Sequence, residues 1–226
     1  MITDDASLLL LEVERVLGDP SSWPLAVEFP NSLALCAINS VYSLQGTSAA
    51  GRNVMRRYRS HREQLGADPD YDDGTDLLRT IEQIGGPQEF ATQITNSTKL
   101  GNTGRLKSEG LFEGVNRIVD CGLNTIGDLK QGIAEDFVLW SREWRKTKGL
   151  GPASWDYLIM NAGIDDIKVD TMIRRFFERA IGDPSTSPSD QRIKTAFFEV
   201  ANQLGTSLRQ LDHAVWNYES PHSRYK

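Results

Sequence analysis

Apolar residues along this chain return at spacings of three and four and almost nowhere alternate, which predicts helices throughout and no sheet. Leu8, Leu11, Val13 and Leu17 mark a first helix, capped by Asp4 or Asp5 and stopped by Gly18-Asp19-Pro20. A second opens at Asn31 and carries Leu33, Leu35, Ala37, Ile38 and Val41 until Tyr42-Ser43-Leu44-Gln45-Gly46-Thr47 breaks it. Thr47 or Ser48 caps a third that reaches Leu65, and the polar run 66–74 reads as a surface loop. Leu77, Ile81 and Ile84 make a short helix ended by Gly85-Gly86-Pro87, and Phe90 and Ile94 belong to another. Residues 103–119, 126–133 and 135–147 give three more; others start near Pro152, Asp170 and Pro188, with a last one after Thr206. The predicted fold class is all-α.

Composition narrows the setting. At 226 residues, 39% hydrophobic and 25% charged, the chain can bury a core without disulfides or metals, as one large domain or two interleaved lobes. No apolar run approaches the roughly 18 residues of a membrane span. Asp4 and Asp5 stand where a secretory leader has basic residues, so the expected compartment is the cytoplasm, with no membrane partner. Cys36 and Cys121 each fall inside an apolar helical pattern and read as two buried thiols, too few for an iron–sulfur cluster or a four-ligand zinc site. His61, His213 and His222 have no ligand spacing, and no metal site is expected. The net charge of −6 means that any binding of nucleic acid must rest on local basic patches and oriented backbone amides. Arg52, Arg56, Arg57, Arg59 and Arg62 form one such patch, for which phosphate contact and a solvated helix face stand side by side.

The chemistry-bearing stretch runs from Lys146 to Arg179. Gly149-Leu150-Gly151 makes a tight turn between helices, and Pro152 sits where it can begin the next helix. Glycines let the chain turn sharply and let its amides approach a phosphate, although a plain helical corner has the same sequence cues. Downstream, Val169-Asp170-Thr171 precedes the helix Met172-Ile173-Arg174-Arg175-Phe176-Phe177, where Asp170 suits an N-cap.

Taken together at this spacing, these residues resemble the helix-hairpin-helix DNA glycosylase superfamily. Its signature is a hydrophobic-Gly-hydrophobic-Gly hairpin, one helix, and a loop ending in Val-Asp before another helix. Ser43-Leu44-Gln45-Gly46-Thr47 is similar to the family's Ser-x-Gln-x-Thr segment, Lys107 begins the counterpart of its "Lys-Ala" helix, and 211–216 fit its closing helix. The resemblance implies two helical lobes flanking a cleft: 1–45 with 164–226 as a terminal lobe, and 46–163 as a six-helix lobe containing the hairpin at 135–163. It implies that Asp170 is the catalytic carboxylate, and that the partner is double-stranded DNA carrying a damaged or modified base. The hairpin residues Gly149, Leu150, Gly151, Ala153 and Lys148, with Thr47 and Arg174, would hold DNA. Gln45, Tyr42, Trp155 and Asp156 are base-pocket candidates, against capping, core packing or a solvated charge. Two departures shape the expectation. Ala153 stands where bifunctional members keep a lysine, so a monofunctional enzyme without a Schiff base is implied. No cysteine follows Cys121, so no iron–sulfur cofactor is implied either; a monovalent cation on the hairpin carbonyls is the one ion left open. A monomer is expected. A non-catalytic helix-hairpin-helix DNA-binding protein is the alternative, and a helical protein-interaction module a third class.

Overall fold

The computed structural model describes residues 3–23, 29–45, 48–167, 169–182 and 187–220. Among these the protein is all-α, with eleven helices, three short 3-10 turns and a single isolated bridge between Lys99 and Leu106 in place of any strand. No helix is long and apolar enough to cross a membrane among the described residues. Contacts divide the chain into two compact units: Met1–Val27 with Asp165–Lys226, and Glu28–Ile164.

The first unit holds α1 (Asp4–Leu17), α9 (Thr171–Ile181), α10 (Asp190–Leu204) and α11 (Leu208–Glu219). Helix α1 packs against the other three around Leu9, Val13, Phe176, Phe177, Phe197, Val200 and Leu211. Its N-cap is Thr3, whose hydroxyl accepts from the Ala6 amide, rather than Asp4 or Asp5; the aspartates occupy the first turn, where they complement the helix dipole. At the other end the Trp23 indole N–H donates to the Leu17 carbonyl. Arg179 joins Glu12 to Glu219 and lies over the Phe176 and Tyr218 rings at 5.1 and 5.5 Å.

The second unit is built around α2 (Leu33–Tyr42), of which every residue but Asn39 is buried. Around it lie α3 (Ser48–Gln64), α4 (Gly74–Ile84), α5 (Pro87–Gln93), α6 (Lys107–Asp120), α7 (Ile126–Arg145) and α8 (Pro152–Asn161). By its contacts α2 belongs to this unit, whereas the resemblance drew the lobe boundary at residue 45. Ser32, not Asn31, caps it: the Ser32 hydroxyl accepts from the Leu35 amide at 3.2 Å. Helix α7 departs from helical geometry at Asp136 (φ −154°, ψ 85°), and the Asp136 carboxylate accepts from the Leu139 amide at 2.9 Å. This break falls where the sequence pattern divides 126–133 from 135–147. Helix α6 starts later than expected, at Lys107, because 101–103 form a separate 3-10 turn.

Two expectations need correction. Cys36 is buried, but Cys121 is exposed, since it falls at the C-cap of α6, where the apolar stripe has ended. The polar run 66–74 is not all surface. Asp72 is only 3% exposed, accepting from the Tyr58 hydroxyl at 2.7 Å and from two nitrogens of Arg62 at 2.7 and 2.8 Å. Burial and the Asp72 carboxylate together push the Tyr58 hydroxyl well above its ordinary pKa.

Breaking a buried ion pair strands its partner. Asp72→Ala is therefore expected to cost about 3–5 kcal/mol in urea unfolding. The exposed pair of Asp70 with Arg59 sets the contrast, and Asp70→Ala should cost under about 1 kcal/mol. Equal losses would show that burial does not govern this network.

Candidate nucleic-acid interface

The hairpin between α7 and α8 is shaped by two glycines with different reasons to be there. Gly149 has φ +100°, and a Cβ on it would lie 2.7 Å from Leu100 Cγ and 3.0 Å from Thr103 Cγ2. Both backbone conformation and space demand glycine. Leu150 plugs into the core over Gly114 of α6, where a Cβ would come within 2.8 Å of Leu150 Cδ1. The Trp144 indole N–H donates to Ser154 Oγ at 3.0 Å, and Ser154 Oγ donates to the Gly151 carbonyl at 2.7 Å, so the end of α7 is tied to the start of α8. Gly151 itself is extended (φ −101°, ψ −169°), and a Cβ there would meet nothing within 4 Å. Folding does not require glycine at this position.

Helix α8 has no side-chain N-cap, and its positive dipole end is open at Gly151. Beside it lies a shallow groove of about 690 Å³ lined by Phe137, Val138, Ser141, Arg142, Arg145, Lys146, Leu150, Gly151 and Pro152. Phe137 and Val138 are 42% and 73% exposed. Lys146 donates to both Glu143 oxygens, at 2.6 and 2.7 Å, and holds that carboxyl below its usual pKa range. Arg142, Arg145 and Lys148 are exposed. Backbone amides, arginines and an apolar shelf at one turn can accept a phosphate-bearing strand without reading bases. Among the hairpin carbonyls, that of Thr147 accepts from the Leu150 amide, and that of Gly151 from the Ser154 and Trp155 amides and the Ser154 hydroxyl.

The other predicted residues distribute as follows. Ala153 is half-buried in the first turn of α8. Trp155 is a core residue, 1% exposed, its ring edge-to-face with Phe137 at 6.0 Å; Asp156 is half-buried. Tyr42 is buried and donates to Thr95 Oγ1 at 2.7 Å, and burial pushes its hydroxyl up to about 12. Gln45 is exposed with φ +50°, and its amide lies over Gly101, where a Cβ would be 3.6 Å from Gln45 Nε2. The structure thus brings Gln45, the 100–103 turn and the hairpin together in the second unit. Asp170 and Arg174 belong to the first unit. Asp170 is the N-cap of α9, accepting from the Met172 and Ile173 amides at 2.8 and 3.1 Å. Arg174 donates to the Pro188 carbonyl at 2.5 Å and pairs with Asp190. Thr47 lies outside the described residues.

Three features escaped sequence reasoning. The 100–103 turn fills the space that Gly149 leaves; a cluster of Gly101 and Gly104 was its only signal. Lys107, read simply as a helix start, is buried, and its ammonium donates to the Tyr42 and Leu44 carbonyls. The arginine patch is partly engaged within the protein: Arg57 donates to the Ile94 and Thr95 carbonyls and Arg62 pairs with buried Asp72, while Arg59 pairs with Asp70 at the surface. Arg52 and Arg56 remain exposed.

What these residues define is an all-α protein with a tied hairpin flanked by exposed basic side chains. By comparison of sequences, the chain belongs to the family described as Domain of unknown function (DUF8548), whose model matches residues 7–220. A comparison with curated proteins finds no match.

The two hairpin glycines should separate under mutation. Gly149→Ala is expected to lower the thermal midpoint clearly, by a few kcal/mol of lost stability, because its Cβ meets Leu100 in a left-handed backbone. Gly151→Ala should stay within about 0.5 kcal/mol of the parent. A large loss at Gly151 would mean that the fold, not a ligand, requires that glycine.

Proposed function

We propose that this chain is a monofunctional DNA glycosylase that flips a damaged or modified base out of double-stranded DNA and hydrolyses its N-glycosidic bond, leaving an abasic site. The reading places it in the cytoplasm as a monomer, in base-excision repair or in defence against phage DNA with hypermodified bases. The observation that carries it is the hairpin: a turn tied by Trp144, Ser154 and Gly151, with the dipole end of α8 open beside Arg142, Arg145 and Lys146. Gly151, glycine without a folding need, supports close approach of a phosphate.

The reaction follows from the charge it develops. As the base departs, positive charge builds on the sugar, and a fixed carboxylate stabilises it and orients water. Asp170 fits this role, since two backbone amides hold one of its oxygens in place. Flipping the nucleotide costs a few kcal/mol, which contacts to the strand must offset. Ala153 offers no amine at the position where a covalent mechanism would need one. No cofactor is required.

One observation favours a second reading, a non-catalytic DNA-binding protein. An N-cap accepting from two amides is by itself a sufficient reason for aspartate at position 170. A panel of duplexes, each with one modified base, followed by alkali, separates the two: a glycosylase yields strand breaks only after alkali, a clamp binds and yields none.

Asp170→Asn should abolish base release while changing stability by about 1 kcal/mol or less, because Asn caps helices well; retained activity would refute the carboxylate's role. Gly151→Val should weaken DNA binding in the same salt, measured by fluorescence anisotropy, and binding as tight as the parent's would remove the hairpin from the interface. Borohydride added during turnover should trap no protein–DNA adduct. An adduct lost in Lys168→Ala would replace hydrolysis with amine catalysis; Lys168 itself lies outside the described residues.

A further inference from the structure

Lys107 is among the largest side chains wholly withdrawn from solvent, at 1% exposure, and no carboxylate pairs with it among the described residues. A buried ammonium without a counter-ion is costly unless its hydrogen bonds are satisfied. Its partners are two carbonyls of one turn. Lys107 Nζ donates to the Leu44 carbonyl and, at 3.4 Å, to the Tyr42 carbonyl, and sits 5.9 Å from the centre of the Tyr42 ring. Those carbonyls close the C-terminus of α2, where a cation also meets the negative end of the helix dipole.

The next residue along that turn is Gln45, the one non-glycine residue with positive φ among the described residues. Side chains rarely adopt this backbone, and such a conformation persists when its surroundings hold it. Gly101 leaves the Gln45 amide room from the other side, within ordinary contact distance of where a Cβ would stand. Gln45 is thus held on its N-terminal side by an ammonium, while its own amide stays exposed.

We propose that Lys107 is the positioning residue that fixes the Gln45 turn and, through it, which flipped base the protein accepts. The selectivity half rests on the glycosylase reading above; the positioning half does not. Lys107 touches neither DNA nor reacting atoms and acts through Gln45 alone.

Two measurements test it. The first needs no substrate: amide hydrogen exchange at Ser43, Leu44 and Gln45 in the parent, Lys107→Met, Gln45→Gly and the double variant. Lys107→Met should speed exchange there by about tenfold or more while distant helices such as α4 stay protected, and the effect should shrink in the Gln45→Gly background, where glycine relieves the turn. Unchanged exchange at the turn, or loss of protection throughout, overturns positioning. The second follows base release over duplexes carrying single alkylated, deaminated or hydroxymethylated bases. Lys107→Met should compress the ratio of rates between best and second-best base to that of Gln45→Ala, with Lys107→Arg restoring part of it, and the Lys107→Met/Gln45→Ala double no worse than Gln45→Ala alone. A uniform fall in all rates, or multiplied losses in the double, overturns the selectivity role. If the parent releases no base from any duplex, the glycosylase reading fails and takes the selectivity half with it, while the exchange result still decides positioning.

Discussion

Helix α2 has almost no solvent face, so the backbone groups left over at its two ends must be satisfied inside the protein. At the N-terminus, Ser32 accepts from Leu35 and donates to the Asp72 carbonyl, which also accepts from the Ala34 amide. That requirement is what draws Asp72 into the interior, and Asp72 in turn needs Tyr58 and Arg62. At the C-terminus the same requirement draws in Lys107. Tyr42 extends the chain of obligations to Thr95, whose carbonyl Arg57 holds. Much of the polar interior of this unit answers to one buried helix.

This explains why the pattern of the chain was readable and its polar logic was not. Spacings of three and four depend on local sequence, and they placed the helices to within a few residues, including the break at Asp136. Asp72 and Lys107 sit in stretches that look solvated because residues next to them are; what buries them is a helix end far away in sequence. The arginines of α3 follow the same rule. A row of five positive charges resembles a surface for phosphate, yet Arg57, Arg59 and Arg62 turn to carbonyls and carboxylates supplied by 70–95.

The candidate site was legible in outline for a similar reason. Gly149-Leu150-Gly151 is local, and the turn it predicts is present; Asp170 reads as an N-cap and is one. The difference in kind between the two glycines was not readable, because Gly149 answers to Leu100 and Thr103, whereas Gly151 answers to nothing in the chain. Tyr42 and Trp155, read as pocket candidates, are buried aromatics, a distinction that burial makes and residue type does not.

The bonds joining Trp144, Ser154 and Gly151 also carry a thermodynamic meaning. A loop that must be ordered by its ligand gives up conformational entropy at the moment of binding, and the observed affinity is lower by that amount. Here the hairpin closes on itself, with Leu150 seated in the core, so its ordering belongs to folding. A strand bound as proposed would meet a turn already in shape, and its association would be limited by diffusion and orientation rather than by a slow rearrangement of the loop.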